Sequence, residues 1–217
     1  MQNDNNTGKS VQEQAEQVGR DWVDSPYYAS AEQWTFIFWR EVGVYRRMFD
    51  LLDLEHVVEL ACGHGRHAEM YRDTARRITL LDILEQNVEH CKTRHRMHPH
   101  ITSLRNNGID FTPLPDGSAT AIFCYDAMVH FPPDVVRSYV KDAARILLPG
   151  GRALFHHSNY HGPSTHGYGA NPHARNFMSQ QLFFTYAQEA QLEVERSQVV
   201  EWGGVPDIDC VTLLRRP

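Results

Sequence analysis

A glycine-rich segment and two acidic residues are the part of this sequence best suited to hold a small ligand. The segment Glu59-Leu-Ala-Cys-Gly63-His-Gly65-Arg-His-Ala68 follows a short apolar run, and Asp82 ends the next apolar run. Two glycines let the backbone turn sharply and approach a ligand closely. A carboxylate at Asp82 can accept hydrogen bonds from both hydroxyls of a ribose. The pattern therefore predicts a nucleotide site.

The charge of Glu59 bears on which nucleotide is bound. A dinucleotide places its pyrophosphate at such a glycine turn, where a carboxylate would repel it. S-adenosylmethionine (SAM) has no phosphate and carries two positive groups, an ammonium and a sulfonium, which an acid would attract. We therefore expect Glu59 and Asp82 to receive SAM.

The hydrophobic pattern supplies the elements that position these residues. Strands alternate with helices, which predicts an α/β fold with a Rossmann-like, mostly parallel sheet of seven strands. The last two strands follow each other without a helix, so we expect a terminal antiparallel hairpin. The predicted strands cover 57–61, 78–82, 101–104, 121–125, 152–156, 194–202 and 210–215. The predicted helices cover about 31–52, 66–76, 85–96, 132–148 and 180–191.

Domain organisation follows from the same pattern. We expect a disordered tail over 1–10, a helical extension over 11–54 and one ligand-binding domain over 55–217. Aromatic residues of the extension, Trp22, Tyr27, Tyr28 and Trp34, are candidates to cover the site, although Trp34 and Trp39 fit a core position better.

Composition limits the partners. The chain has 217 residues and a formal charge of −6, which argues against a nucleic-acid ligand. No apolar run reaches the roughly 20 residues of a membrane span, and the polar N-terminus resembles no secretion signal. Four cysteines without a CxxC pair fit reduced thiols. We expect a cytoplasmic protein and leave a homodimer open.

Residues Val57 to Ala68 resemble motif I of the class I SAM-dependent methyltransferases, and other segments match the same family. The resemblance implies that motif I, with Glu59, Ala61, Gly63, Gly65 and Arg66, holds the methionine part of SAM. It also implies a ribose contact at Asp82, adenine contacts at Ile83 and at Asn107, Gly108 and Ile109, and a contact at Tyr125 with both cofactor and acceptor. Asn107 stands where the family usually has an acid.

The family geometry places the acceptor near the ends of the fourth and fifth strands. Methyl transfer to a hydroxyl needs a base, and histidine suits that role near neutral pH. We predict Asp126, His130 and His157 as catalytic residues. His157 is preferred to His156 because the two must point to opposite faces of a strand and His157 lies nearer the following loop. That loop adds His161, His166 and His173.

The predicted function is SAM-dependent methylation of a small polar acceptor, with O-methylation of a carbohydrate or similar hydroxyl compound as the first hypothesis. N-methylation of a small amine and an NAD-dependent oxidoreductase are the alternatives, together with a catalytically silent SAM-binding module. A Mg²⁺ site using Asp126, a histidine and Asp207 or Asp209 is conceivable but not favoured, because no ligands stand at diagnostic spacing.

Overall fold

The computed structural model describes residues 8–162 and 167–217. Within these ranges, seven α-helices precede, connect and cover seven strands. The helices are α1 (Val11–Trp22), α2 (Tyr27–Ala31), α3 (Thr35–Phe38), α4 (Val44–Phe49), α5 (Glu85–Arg94), α6 (Pro133–Ile146) and α7 (Gln180–Glu189). The strands are β1 (Val57–Leu60), β2 (Ile78–Asp82), β3 (Ile101–Arg105), β4 (Ala119–Cys124), β5 (Leu147–Ser158), β6 (Glu193–Trp202) and β7 (Val205–Arg215).

The sheet has the order β3-β2-β1-β4-β5-β7-β6. Strands β1 to β5 pair in parallel, whereas β7 is antiparallel to both β5 and β6. The predicted seven-stranded sheet with a terminal hairpin is therefore confirmed. In such a sheet the carboxyl ends of β1, β2 and β4 meet at one edge, where the switch in strand order opens a crevice.

Helices pack on both faces of this sheet. One apolar cluster joins alternate strand residues such as Leu60 and Ile122 to Val136 of α6 and Phe183 of α7. The other joins Val57 and Phe123 to Phe49 of α4 and Cys91 of α5. Burial on both faces explains why β1, β2 and β4 read as continuous apolar runs.

The N-terminal extension differs from its prediction. Ser10 caps α1 with a capping box to Glu13, but the single helix expected over 31–52 is broken into short pieces. Aromatic and β-branched residues dominate 34–39 and are weak helix formers, and the chain turns before Gly43, whose amide donates to the Arg40 carbonyl at 2.8 Å. Trp34 is 49% exposed and not a core residue.

A second correction concerns the segment after the glycine turn. No α-helix forms over 66–76; the chain makes successive turns with one short 3-10 segment, Ala68–Met70. The buried Tyr71 ring packs between Trp39 and Phe123, so tertiary contacts decide the local conformation. Residues 1–7 of the predicted tail, and His166, lie outside the described residues. Within the described part, no helix has the length and apolarity to cross a bilayer.

Candidate active site

A cleft of about 940 Å³, partly open to solvent, lies at the carboxyl ends of β1, β2 and β4 under α1 and α2. Most of the predicted site residues line it, namely Ala61, Gly63, Arg66, Asp82, Ile83, Gly108, Tyr125, Asp126 and His130. The others, Glu59, Gly65, Asn107, Ile109 and His157, do not line it.

Asp82 ties the glycine bend to the end of β2. Its Oδ2 accepts the Gly63 amide at 2.9 Å, and its Oδ1 accepts the Leu84 amide at 2.9 Å and the Asn87 side-chain amide at 3.1 Å. Burial raises the pKa of Asp82 to about 6, although the hydrogen bonds from Leu84 and Gly63 oppose that rise. The carboxylate is thus held rigidly at the edge of the cleft.

Tyr28 of α2 covers the glycine bend. Gly63 has a φ of +54°, and a Cβ at this position would lie 2.9 Å from the Tyr28 ring. The Tyr28 hydroxyl accepts a hydrogen bond from Asn87 at 3.1 Å, and its ring stacks on His64. A ligand that contacts the bend therefore also contacts or displaces Tyr28.

Glu59 does not face the cleft, which corrects the electrostatic argument made from the sequence. Its carboxyl is buried and accepts a hydrogen bond from the Tyr71 hydroxyl at 2.7 Å. Burial raises the pKa of Glu59 to about 8, so the packed environment favours the neutral carboxyl over the carboxylate. Strand alternation is the reason, because Leu60 turns to the cleft while Glu59 points to the other face of the sheet, against Tyr71.

The end of the cleft beside Ile83 and Gly108, where the sequence predicts the cofactor and which we call the cofactor half, is apolar. A Cβ at Gly108 would overlap the Ile83 side chain and lie 3.2 Å from Ala15 of α1. Asn107 does not reach this space, because its side-chain oxygen accepts the amides of Ile109 and Asp110 within its own loop. Asn106, which the sequence analysis did not select, lines the cleft instead.

Gly65 of the glycine segment and Ile109, which follows β3, also lie outside the cleft. A Cβ at Gly65 would meet His95 and Cys91 of α5, so this glycine permits close helix packing. Ile109 packs against the apolar cluster that contains α6. For both, the structure brings the residue to a packing contact and not to the lining of the cleft.

Asp126 lies at the opposite end of the cleft, where the sequence predicts the acceptor, and we call this part the acceptor end or acceptor half. Its carboxylate forms a buried ion pair with Arg66 at 2.9 Å and accepts a hydrogen bond from the Tyr27 hydroxyl. Arg66 also donates to the Ala31 carbonyl at 2.6 Å. The pair therefore joins the glycine segment, the end of β4 and helix α2.

Of the two histidines predicted to be catalytic, His130 is the one that lines the cleft. Its Nδ1 lies 2.8 Å from the Ala174 carbonyl oxygen, so Nδ1 carries the hydrogen and Nε2 keeps a lone pair. Burial lowers the pKa of His130 to about 4, so the ring is neutral at pH 7. Its ring centroid lies 4.6 Å from that of Trp22. A neutral imidazole with an available Nε2 can accept a proton.

His157 is not at the site, and this prediction is wrong. It stacks on Phe183 of α7 with centroids 3.9 Å apart, and its Nε2 lies 2.9 Å from Thr212 Oγ1. His156 is the one on the cleft side, stacked on Tyr125 behind the lining. Alternation along β5 decides between the two, whereas distance from the loop does not.

His67 lines the cleft and was missed. Its Nδ1 accepts the Trp39 indole hydrogen at 3.1 Å, which leaves Nε2 as a buried donor with no partner among the described residues. Its place in the glycine segment could have suggested His67 as a site residue. The spacing of the glycines does not, however, show which side chains of the segment point into the cleft.

The described residues contain no group of three or more metal-ligating side chains. Of the acids considered as ligands, Asp126 and Asp209 are each paired with an arginine. Of the loop histidines, His161 contacts Asn159 and His173 lies against Gly203, so neither lines the cleft.

Comparison with known proteins agrees with this geometry. Residues 57–151 match the methyltransferase domain model Methyltransf_25. The matched part of the chain, which is less than half of it, is therefore similar to a methyltransferase domain.

Two curated relatives extend the comparison. The chain is 30% identical over 126 residues to a probable SAM-dependent methyltransferase of Mycolicibacterium smegmatis, a match that covers 58% of this chain and 46% of that protein. It is 26% identical over 101 residues to a malonyl-[acyl-carrier protein] O-methyltransferase of Serratia marcescens, covering 46% and 37%. The chain thus matches less than half the length of either relative.

Among solved structures, the geranyl diphosphate C-methyltransferase of Streptomyces coelicolor A3(2) superposes with a TM-score of 0.65 at 14% identity. The match covers 79% of this chain and 78% of that one. At this identity the likeness concerns the fold alone.

Proposed function

We propose that this protein transfers a methyl group from SAM to a hydroxyl oxygen of a small polar acceptor, with His130 as the general base. The observation that carries the proposal is the neutral His130 ring in the cleft, whose Nδ1–H is bound to Ala174 while Nε2 is available. When bound, SAM supplies an electrophilic methyl group on a sulfonium. His130 would take the hydroxyl proton as the oxygen becomes methylated.

The cofactor half of the cleft fits SAM. Asp82 offers carboxylate oxygens to a ribose, and Ile83 with Gly108 offers an apolar surface to an adenine. Arg66 is the only Lys or Arg among the lining residues of the described chain, and it is paired with Asp126. A pyrophosphate would therefore find no unpaired cation here. This argument disfavours NAD without depending on the charge or position of Glu59.

The acceptor half suits a ring with hydroxyl groups. Trp22, Tyr27 and Phe131 present aromatic surfaces beside His130, and such surfaces can pack on a sugar face. A carbohydrate or similar hydroxyl compound is therefore the first acceptor class to test. The same lack of an unpaired cation argues against a diphosphate acceptor of the kind named for the Streptomyces enzyme.

N-methylation of a small amine is the second candidate. Asp126 is the carboxylate that could bind an ammonium, but its Oδ2 already contacts Arg66 and Tyr27. An amine would have to replace a buried ion pair, which makes this reaction less favoured than O-methylation.

Calorimetry with SAM, with its demethylated product S-adenosylhomocysteine (SAH) and with NAD tests the cofactor. We expect the first two to bind and NAD not to bind; binding of NAD alone would reject the proposal. An SAH-release assay over a panel of hydroxyl compounds and amines then tests the acceptor. Release with amines only would transfer the assignment to N-methylation, and binding without any release would favour a silent SAM-binding module.

A further inference from the structure

Three buried side chains lie directly behind the acceptor end of the cleft, and we call them the anchor triad: His156, Arg175 and Asp209. They are 0%, 2% and 0% exposed. Asp209 Oδ2 lies 3.0 Å from His156 Nε2, and Arg175 donates to Asp209 at 2.8 Å through Nε and 2.5 Å through Nη2. Among the described residues that line the cleft, none belongs to the triad.

One arm of the triad reaches Asp126 through its backbone. The Asp126 amide donates to His156 Nδ1 at 3.1 Å. This contact requires Nδ1 to be unprotonated, so the hydrogen of the neutral ring resides on Nε2 and points to Asp209. Asp126 has a φ of +56°, a left-handed conformation that is uncommon for non-glycine residues but more accessible to aspartate than to most.

The other arm reaches His130 through the chain on either side of Arg175. The Ala174 carbonyl accepts the His130 Nδ1–H at 2.8 Å. The Asn176 side chain donates to the His130 backbone carbonyl at 3.2 Å. The Asn176 backbone N–H donates to the Val129 carbonyl at 2.9 Å. Fixing Arg175 on Asp209 therefore also fixes the groups that set the tautomer of His130.

We propose that His156 and Asp209 are positioning residues, which hold Asp126 in its left-handed conformation and His130 with Nε2 available to the acceptor. A buried charge cluster is in general a poor source of stability compared with apolar side chains of similar size. The directed contacts to the two acceptor-end residues give this cluster a specific task. The catalytic value of this positioning rests on the proposed function, but the contacts themselves can be measured without any acceptor.

Two substitutions at position 156 separate the contact made by His156 Nδ1 from the contact made by its Nε2. His156→Asn places an amide oxygen near the former Nδ1, so the Asp126 amide keeps an acceptor. His156→Gln reaches toward the former Nε2 and leaves the Asp126 amide without one. His157→Asn is the matched control, because His157 is equally buried on the same strand but contacts the opposite face.

The first readout is histidine ¹⁵N NMR of the unmodified protein. We expect His156 as a neutral Nε2–H tautomer and His130 as a neutral Nδ1–H tautomer. The second readout is hydrogen exchange of the Asp126 amide. His156→Gln should speed it by about fivefold or more relative to other cleft amides, the change expected from losing one buried hydrogen bond. His156→Asn and His157→Asn should leave that ratio unchanged.

The proposal is overturned if His156 carries a hydrogen on Nδ1, or if Asn and Gln at position 156 change the Asp126 exchange ratio equally. If His156→Gln does not fold, Asp209→Asn replaces it, and an unchanged Asp126 exchange ratio together with an unchanged His130 tautomer in that variant would also reject the idea. SAH affinity measured in parallel reports on the cofactor half alone. If the unmodified protein does not bind SAH, the proposed function is rejected, and the NMR result can still be interpreted.

Discussion

Arg66 and Asp126 form a buried ion pair, with Arg66 Nη2 at 2.9 Å from Asp126 Oδ2, although 60 positions separate them along the chain. Arg66 belongs to the glycine segment and Asp126 follows β4. The pair therefore joins the cofactor half of the cleft to its acceptor half. The Tyr27 hydroxyl bonds to the same carboxylate oxygen and adds the N-terminal extension to this junction.

Removing one partner of this pair should destabilise the protein strongly. Arg66→Met leaves Asp126 buried without its cation, and we expect a loss of about 3–5 kcal/mol in the free energy of unfolding. The double variant Arg66→Met with Asp126→Asn removes both charges and should recover part of that loss. Urea unfolding of the single and double variants measures the coupling, and strictly additive losses would contradict it.

Asp82→Ala should weaken SAM binding by about 10- to 100-fold, since a charge-assisted contact with the ribose is lost. Asp82 also accepts the Gly63 and Leu84 amides, so part of the effect will appear as reduced stability. Asp82→Asn keeps the size and one acceptor and is the control. Calorimetry with SAH at a temperature where both variants are folded separates affinity from stability; equal affinity in all three proteins would refute the ribose contact.

His130→Gln should lower the rate of methyl transfer by about 10²- to 10⁴-fold, the usual contribution of a general base. SAM affinity should change little, because His130 lies at the acceptor end. His157→Gln should reduce thermal stability and leave the rate per folded molecule unchanged, because His157 packs on Phe183 away from the cleft. A larger rate loss at position 157 than at 130 would restore the assignment made from sequence.

Glu59 should make stability depend on pH in the direction opposite to an ordinary surface acid. Burial raises its folded pKa from 4.5 to about 8, so the folded state binds a proton that the unfolded state releases. The stabilisation is complete below about pH 4.5 and is lost as the pH rises through 8. Glu59→Gln cannot titrate and should lack this loss.

Unfolding free energies of the wild type and Glu59→Gln at pH 5, 7 and 9 test this. The wild type should lose stability relative to the variant at each step upward. A difference that stays constant, or that grows in favour of the wild type, would show that Glu59 is ionised in the folded protein.

The sequence by itself determined the architecture. Apolar runs of strand length alternating with amphipathic helices specify a parallel sheet, because each run must be buried on both faces. The absence of a helix between residues 194–202 and 210–215 specified the hairpin. The glycine bend and Asp82 could also be found, since parallel pairing of β1 and β2 places an acid at the end of the second strand beside the turn that follows the first.

Only the tertiary structure decided which side chains reach the cleft. Glu59 is next to Leu60, which lines the cleft, and His157 is next to His156, which lies directly behind the lining. Strand alternation turns Glu59 and His157 away from the cleft. The left-handed backbone at Asp126 and its contact with His156 depend on residues from β4, β5 and β7 meeting in space. Burial, which sets the charge of Glu59 and His130, is likewise a property of the packed molecule and not of the local sequence.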